Sequence, residues 1–194
     1  RELMSLEVGK KAIDFIIENS KHRKNIEIDF FGGEPLMNWQ MVKDTVEYAR
    51  QREKETGKNF RFTMTTNGVL LNDEIIDYLN ENMHNVVLSL DGRKEIHDHM
   101  RPTVNGKGSY DVILPKFKKL VEKRGNKQYY IRGTFTHHNL DFAEDVKDMT
   151  AQGFKEVSVE PVVAPNEMDY AIKPGDIDTL CKEYEKLAKY IVKQ

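Results

Sequence analysis
Polar and apolar residues alternate along Ile26–Phe31, with Ile26, Ile28 and Phe30 on one side and Glu27, Asp29 and Phe31 on the other. That period of two predicts a strand with one apolar face. The same period returns at Phe60–Thr66, at Asn85–Leu90, at Tyr129–Thr136 and at Glu156–Glu160, where Pro161 closes it. Between these runs the apolar residues recur at helical spacing. Ser5 is placed to cap a helix whose Val8, Ala12, Ile13, Phe15, Ile16 and Ile17 predict a broad buried stripe, and Asn38 to cap one with Trp39, Val42, Val46 and Ala49 that stops at Gly57. Asn72 precedes Ile75, Ile76 and Leu79; Ser109 precedes Val112, Ile113, Phe117, Leu120 and Val121, with Pro115 expected to distort the first turn. A short helix over Phe142–Met149 stops at Gly153, and a last one opens at Asp176 with Ile177, Leu180, Cys181, Tyr184, Leu187, Ala188 and Ile191 in register. Asp91–Gly108 shows neither period and is expected to be a long functional loop.

Alternation of strand and helix predicts an α/β fold of five parallel strands with right-handed crossovers and outer helices, in a single domain over residues 1–194. Parallel strands are usually apolar on both faces. Here one face is polar throughout: Glu27 and Asp29; Arg61, Thr63 and Thr65; Ser89 and Asp91; Arg132, Thr134 and Thr136; Ser158 and Glu160. A closed eight-stranded barrel fills its interior with branched apolar side chains, so a polar interior points to an incomplete (β/α) barrel lined for a polar ligand. Arg61 and Arg132 can pair there with Glu27, Asp29 and Glu160.

Composition narrows the partners. The 194 residues are 32% charged, but the charges nearly cancel to a net of −2, which favours neither nucleic acid nor an anionic membrane surface. No apolar run approaches the roughly 18 residues of a membrane span and no signal-peptide pattern opens the chain, so a cytoplasmic location is expected. The lone Cys181 excludes an internal disulfide and a cysteine metal site, and its place on an apolar stripe predicts a small buried hydrophobe. His97, His99, His137 and His138 have no carboxylate spacing that completes a zinc or dinuclear hydrolase site and are expected at the surface.

The sharpest candidate chemistry lies at the end of the first predicted strand, Gly32-Gly33-Glu34-Pro35. Two glycines leave the main chain bare to a ligand, Pro35 cannot continue a ladder, and Glu34 places one carboxylate suited to an ammonium or hydroxyl group. The plain alternative is a strand-to-helix turn with a solvated Glu34. With Thr65-Thr66-Asn67-Gly68 and Ser89-Leu90-Asp91-Gly92 at the next two strand ends, this segment resembles the radical S-adenosylmethionine (radical SAM) enzymes. The run Ile96-His97-Asp98-His99-Met100-Arg101-Pro102 and then Gly106-Lys107-Gly108-Ser109-Tyr110 resembles the peptide-modifying subgroup with a C-terminal cluster-binding (SPASM) extension. Within it the chain is most similar to the SCIFF maturases, which join thioethers in short cysteine-rich ribosomal peptides (RiPPs).

The resemblance implies a TIM-type partial barrel whose cofactors are S-adenosyl-L-methionine and a 4Fe-4S cluster, and whose activity is that of an oxidoreductase. A 5'-deoxyadenosyl radical would abstract a hydrogen from a cysteine-rich precursor peptide, and a cysteine sulfur would close a thioether. It implies that Gly32, Gly33, Glu34 and Pro35 bind the amino group of S-adenosylmethionine, Ser89 and Arg101 its carboxylate and ribose, and the Val162 backbone the adenine. Thr65 and Asn67 would line the same pocket, and Arg132 and Thr134 would face the peptide. Carboxyl ends of parallel strands are where such folds bind ligands, and the fork of Arg101 suits a carboxylate.

One departure is large. The family's C-x3-C-x2-C loop, whose thiolates hold three irons of the cluster, does not occur in the sequence. Arg1–Ser5 resembles the family's segment directly after that loop, so the chain is expected to be the central part of a longer enzyme, lacking the first strand and the cluster ligands and inactive by itself. Ile26–Phe31 would then be an edge strand prone to self-association. Two other functions fit the motifs: anaerobic sulfatase maturation with a formylglycine product, and a non-catalytic α/β domain holding an adenosine ligand.

Overall fold
A computed structural model describes residues 2–193. Five strands lie in one sheet in chain order: β1 (Asn25–Phe30), β2 (Asn59–Thr66), β3 (Asn85–Ser89), β4 (Tyr129–Phe135) and β5 (Val157–Pro161). The β1–β2 and β4–β5 ladders are parallel, and helices flank the sheet, as the alternating periods require. Two compact units divide the chain, Arg1–Val87 with Lys123–Gln128, and Leu88–Glu122 with Tyr129–Gln194.

The first unit carries α1 (Leu6–Asn19), α2 (Trp39–Thr56) and α3 (Asp73–Asn82). Ser5 and Asn72 accept the capping bonds expected of them, from the amides of Val8 and Ile75, and Gly57 ends α2 in the left-handed conformation. Phe60, Phe62 and Met64 of β2 are buried together with Val42, Val46 and Ala49 of α2 and Ile76 and Leu79 of α3. The broad stripe expected on α1 is narrow: Gly9 and Ile13 are buried, whereas Val8, Ala12 and Phe15 face solvent. Contact between α1 and α2 explains this. A Cβ at Gly9 would lie 2.6 Å from Thr45 Oγ1, so the helices meet along a tight line that covers little of α1. Asn38 makes no capping bond for α2. Its side-chain amide donates to the Met4 carbonyl at 2.8 Å, and the 3₁₀ turn Pro35–Asn38 that leads into α2 is capped by Glu34.

In the second unit α5 (Tyr110–Arg124), α6 (Phe142–Ala151) and α7 (Ile177–Ile191) stand near their expected bounds, but the segment read as a loop contains α4 (Lys94–Met100). Its one fully buried side chain is His97, which a search for apolar periodicity passes over. Pro115 does not delay α5, and the cap is not the Ser109 hydroxyl: Asp98 Oδ1 accepts the Tyr110 amide at 2.8 Å. Cys181 is exposed, contrary to expectation. Leu180, Glu183 and Leu187 are the buried residues of α7, while Ile177, Cys181, Tyr184, Ala188 and Ile191 stay exposed, although the Tyr184 ring still packs edge-on against Phe142 at 4.8 Å.

On the polar sheet face one ion pair follows the register and one runs diagonally, since the strand partner of Arg132 is Ser158 and not Glu160. Glu27 stands opposite Arg61, 4.0 Å away, and Arg132 meets Glu160 at 2.7 Å. These groups are about half exposed rather than buried, so each pair contributes about 0–1 kcal/mol.

Candidate functional site
At the end of β1 the chain turns through Gly32 (φ +93°) and Gly33 (φ +45°), where an added Cβ would find no atom within 4 Å. Glycine is therefore required by backbone conformation and not by crowding, and the main chain here is open to approach. Glu34 comes next, its carboxylate turned inward. Oε1 accepts from the Leu36 amide at 3.1 Å and the Thr66 hydroxyl at 2.8 Å, and Oε2 accepts from the Asn67 amide at 2.8 Å. The group expected to bind a ligand ammonium thus ties the carboxyl ends of β1 and β2 together. Thr66, buried at the end of β2, also accepts the Gly68 amide, and Asn67 Oδ1 accepts the Val69 amide, forming an Asx turn. Thr65 is half-buried on the polar face.

In the second unit one candidate, Arg101, belongs to a closed hydrogen-bond ring. Both branches of the Arg101 fork are directed at Asp91, Nε to Oδ2 at 2.6 Å and Nη2 to Oδ1 at 3.0 Å. Asp91 is 3% exposed and also accepts the Thr134 amide at 2.9 Å, which fastens it to β4. Its own amide donates to His97 Nδ1 at 3.2 Å, so the proton of the neutral imidazole sits on Nε2, 2.9 Å from Ser109 Oγ. Ser109 in turn donates to the Arg101 carbonyl at 2.6 Å and closes the ring. His97 is 0% exposed, and burial lowers its pKa below the usual histidine range, keeping it neutral. It is not a surface histidine.

A second network lies beside the first. Asp145 accepts Arg93 Nε at 2.8 Å, the Arg93 amide at 3.1 Å and Asn139 Nδ2 at 3.0 Å, while Asn139 Oδ1 accepts the Thr136 amide and hydroxyl. A Cβ on Gly92 would fall 2.3 Å from that of Asp145, so only glycine fits next to Asp91. Ser89 is half-buried at the end of β3. The Val162 amide is already bonded to the Phe135 carbonyl at 2.9 Å, which leaves its carbonyl as the backbone group able to meet an adenine. Arg132 and Thr134 are half-buried on the polar face. Periodicity and motif spacing gave no sign of Asp91 as a lock on Arg101 and Thr134, or of the hydrogen-bonding roles of His97, Ser109, Asp98, Thr66 and Asn139. Gly108 carried a trace of them, since its Cβ would lie 2.2 Å from the Asp98 side chain.

A cleft of about 580 Å³ lies elsewhere in the first unit, at the amino end of β2, lined among others by Arg50, Arg61, His84 and Lys127. Arg50 and Lys127 donate to the Phe60 and Asn80 carbonyls there. The buried side-chain polar atoms without partners, Trp39 Nε1 and Asn85 Oδ1 among the described residues, belong to residues that do not line it.

A 4Fe-4S cluster does not fit this chain's own donors. Cys181 is the sole thiol, and no group of three or more His, Cys, Asp or Glu side chains among the described residues could hold a metal. S-adenosylmethionine fits better, because Gly32 and Gly33 offer the uncluttered main chain that close approach of a ligand needs.

Comparison with known proteins agrees with the fold. An uncharacterised protein of Methanocaldococcus jannaschii is 30% identical over 96% of this chain and 63% of its own length. The cysteine-type anaerobic sulfatase-maturating enzyme of Clostridium novyi is 28% identical over 92% of this chain and 50% of its own. The radical SAM cyclopropyl synthase TigE of Paramaledivibacter caminithermalis is 25% identical over 84% and 36%. The chain thus spans from about a third to under two thirds of these relatives. Native anSMEcpe, solved with bound AdoMet and a Kp18Cys peptide, superposes with a TM-score of 0.83 at 21% identity, over 94% of this chain and 51% of that one. The model of the radical SAM superfamily, whose members use S-adenosylmethionine and a 4Fe-4S cluster, matches residues 9–149, and the chain belongs to that superfamily.

Proposed function
We propose that this chain is the S-adenosylmethionine-binding core of an enzyme that modifies a cysteine-rich ribosomal peptide by forming a thioether. The observation that carries the reading is the bare, left-handed backbone of Gly32 and Gly33 beside a Glu34 that is held in place from three sides. Bound S-adenosylmethionine supplies the radical chemistry, and the protein binds and orients. In the first unit, Gly32–Pro35 would hold the ligand's amino group through the main chain, and Thr65 and Asn67 would line it. In the second, Ser89 and Arg101 would meet the carboxylate and ribose, Arg101 pre-oriented by Asp91, and the Val162 carbonyl the adenine. Arg132 and Thr134 would face the peptide.

The cluster ligands would come from outside this chain, so the chain alone is expected to leave S-adenosylmethionine uncleaved. The parent protein co-expressed with its peptide should yield a product two hydrogens lighter, with its cysteine no longer alkylatable. A product carrying formylglycine would move the assignment to sulfatase maturation, a reading favoured by two relatives: the Clostridium novyi enzyme and the serine-type anaerobic sulfatase-maturating enzyme of Bacteroides thetaiotaomicron, 30% identical over 77% of this chain. Binding of the intact cofactor without turnover in the reduced parent protein would leave a ligand-binding domain. We propose further that the isolated chain covers the open edge of β1 by self-association.

A further inference from the structure
On the second unit, α6 and α7 border a groove of about 370 Å³ lined by Lys147, Lys182, Lys186, Lys189, Tyr190 and Lys193. Lys182, Lys186 and Lys189 succeed one another along α7 at spacings of four and three, and Lys193 continues the row just past its end. Lys147 faces the row from α6, its ammonium 5.7 Å from the centre of the Tyr190 ring. That ring is fixed from its far end by a hydrogen bond of 2.8 Å between its hydroxyl and Thr150.

Two carboxylates answer these charges. Glu144 binds Lys147 at 2.9 Å and Lys186 at 2.5 Å, and Glu183 reaches Lys186 at 3.3 Å. The hydrogen bonds from Lys186 and Lys147 hold the Glu144 carboxyl down at about 2. Lys182, Lys189 and Lys193 have no ion pair among the described residues, and the other carboxylates of α7 on this side, Asp178 and Glu185, do not line the groove. Like charges at these spacings oppose the helix that carries them. In a chain of net charge −2 the patch is a local feature.

We propose that this groove docks an acidic polypeptide segment, one carrying several closely spaced Asp or Glu side chains. Lysine ammoniums on flexible stems suit carboxylates spread along a chain, whereas phosphate recognition favours the planar fork of arginine, and no arginine lines the groove. The Tyr190 face is occupied by Lys147 and gives a nucleobase no platform for stacking. From Lys182 to Lys193 the row extends about 16 Å at the helical rise, the reach of about five extended residues. This assignment does not depend on the radical chemistry.

Fluorescence anisotropy of a labelled glutamate-rich peptide, titrated with the chain at low and at high salt, tests it. The expected result is saturable binding that weakens steeply with salt and falls by roughly tenfold or more in Lys182→Glu/Lys189→Glu. Circular dichroism establishes that the variant is folded. An equal change of charge elsewhere, Lys10→Glu/Lys11→Glu on α1, should leave binding within about twofold. Failure to bind, or an equal loss in the α1 variant, would overturn the proposal. So would inorganic polyphosphate or a single-stranded oligonucleotide competing at lower charge concentration than the peptide, since the groove would then read phosphate.

Discussion
Glu34 shows how one side chain ties the proposed binding turn to the fold. Replacing it by alanine leaves the Leu36 and Asn67 amides and the Thr66 hydroxyl without their acceptor, and we expect a loss of about 2–3 kcal/mol, against about 1–2 for Glu34→Gln, which keeps one acceptor oxygen. Urea titrations with an unchanged m-value will register both, and a glutamine variant as unstable as the alanine one would mean that the carboxylate charge itself holds the turn. Two glycines separate strain from crowding in the same way. Gly33→Ala meets only the left-handed backbone and should cost about 1–2 kcal/mol. Gly92→Ala must also displace Asp145 and should cost about 3 kcal/mol or more, enough to deplete soluble expression. Equal losses at the two positions would show that the Asp145 network yields easily.

At the scale of the element, α4 exists because polar groups, and not an apolar stripe, bury its face. His97 is its anchor, and its lowered pKa makes the segment sensitive to acid. A histidine whose folded pKa lies below its unfolded value of about 6.5 binds more protons unfolded than folded below that pH. Its contribution to stability is therefore complete above about pH 6.5 and is lost as the pH falls toward the depressed folded value. The thermal midpoint of the wild type should drop between pH 7.5 and 5.5 by more than that of His97→Gln, with both monitored by circular dichroism. Parallel pH dependences would exclude His97 as the cause. Because the ring from His97 through Ser109 orients Arg101, loss of S-adenosylmethionine affinity in Arg101→Ala, about 1.5–3 kcal/mol by calorimetry, should be accompanied by a smaller loss in Ser109→Ala. Unchanged affinity in Arg101→Ala would remove the guanidinium from the site.

For the whole molecule, the sheet order leaves β1 at one edge and β5 at the other, and it is the β1 edge that is expected to pair. The first unit also exposes apolar side chains, Phe15 and Phe31 among them, at 66% and 67%. We expect sedimentation velocity to show association rising with concentration, and Ile28→Lys to suppress it, since an edge lysine opposes strand pairing. A chain that stays monomeric across the series would show that the exposed Glu27 and Asp29 protect the edge.

Period and punctuation alone determined the strand and helix order, the parallel sheet, the Ser5, Asn72 and Gly57 helix ends and the polar face, because each depends on neighbours a few residues apart. The Gly32-Gly33-Glu34-Pro35 turn was legible for the same reason, its left-handed backbone being local. Contacts distant in sequence decided the rest. The inward turn of Glu34 depends on Thr66 and Asn67, the burial of His97 on Ser109, and the orientation of Arg101 on an Asp91 that is fastened to Thr134. The exposure of Cys181 and of the α1 stripe depended on which helix face found a partner, and an apolar stripe states a capacity for burial without naming what will cover it.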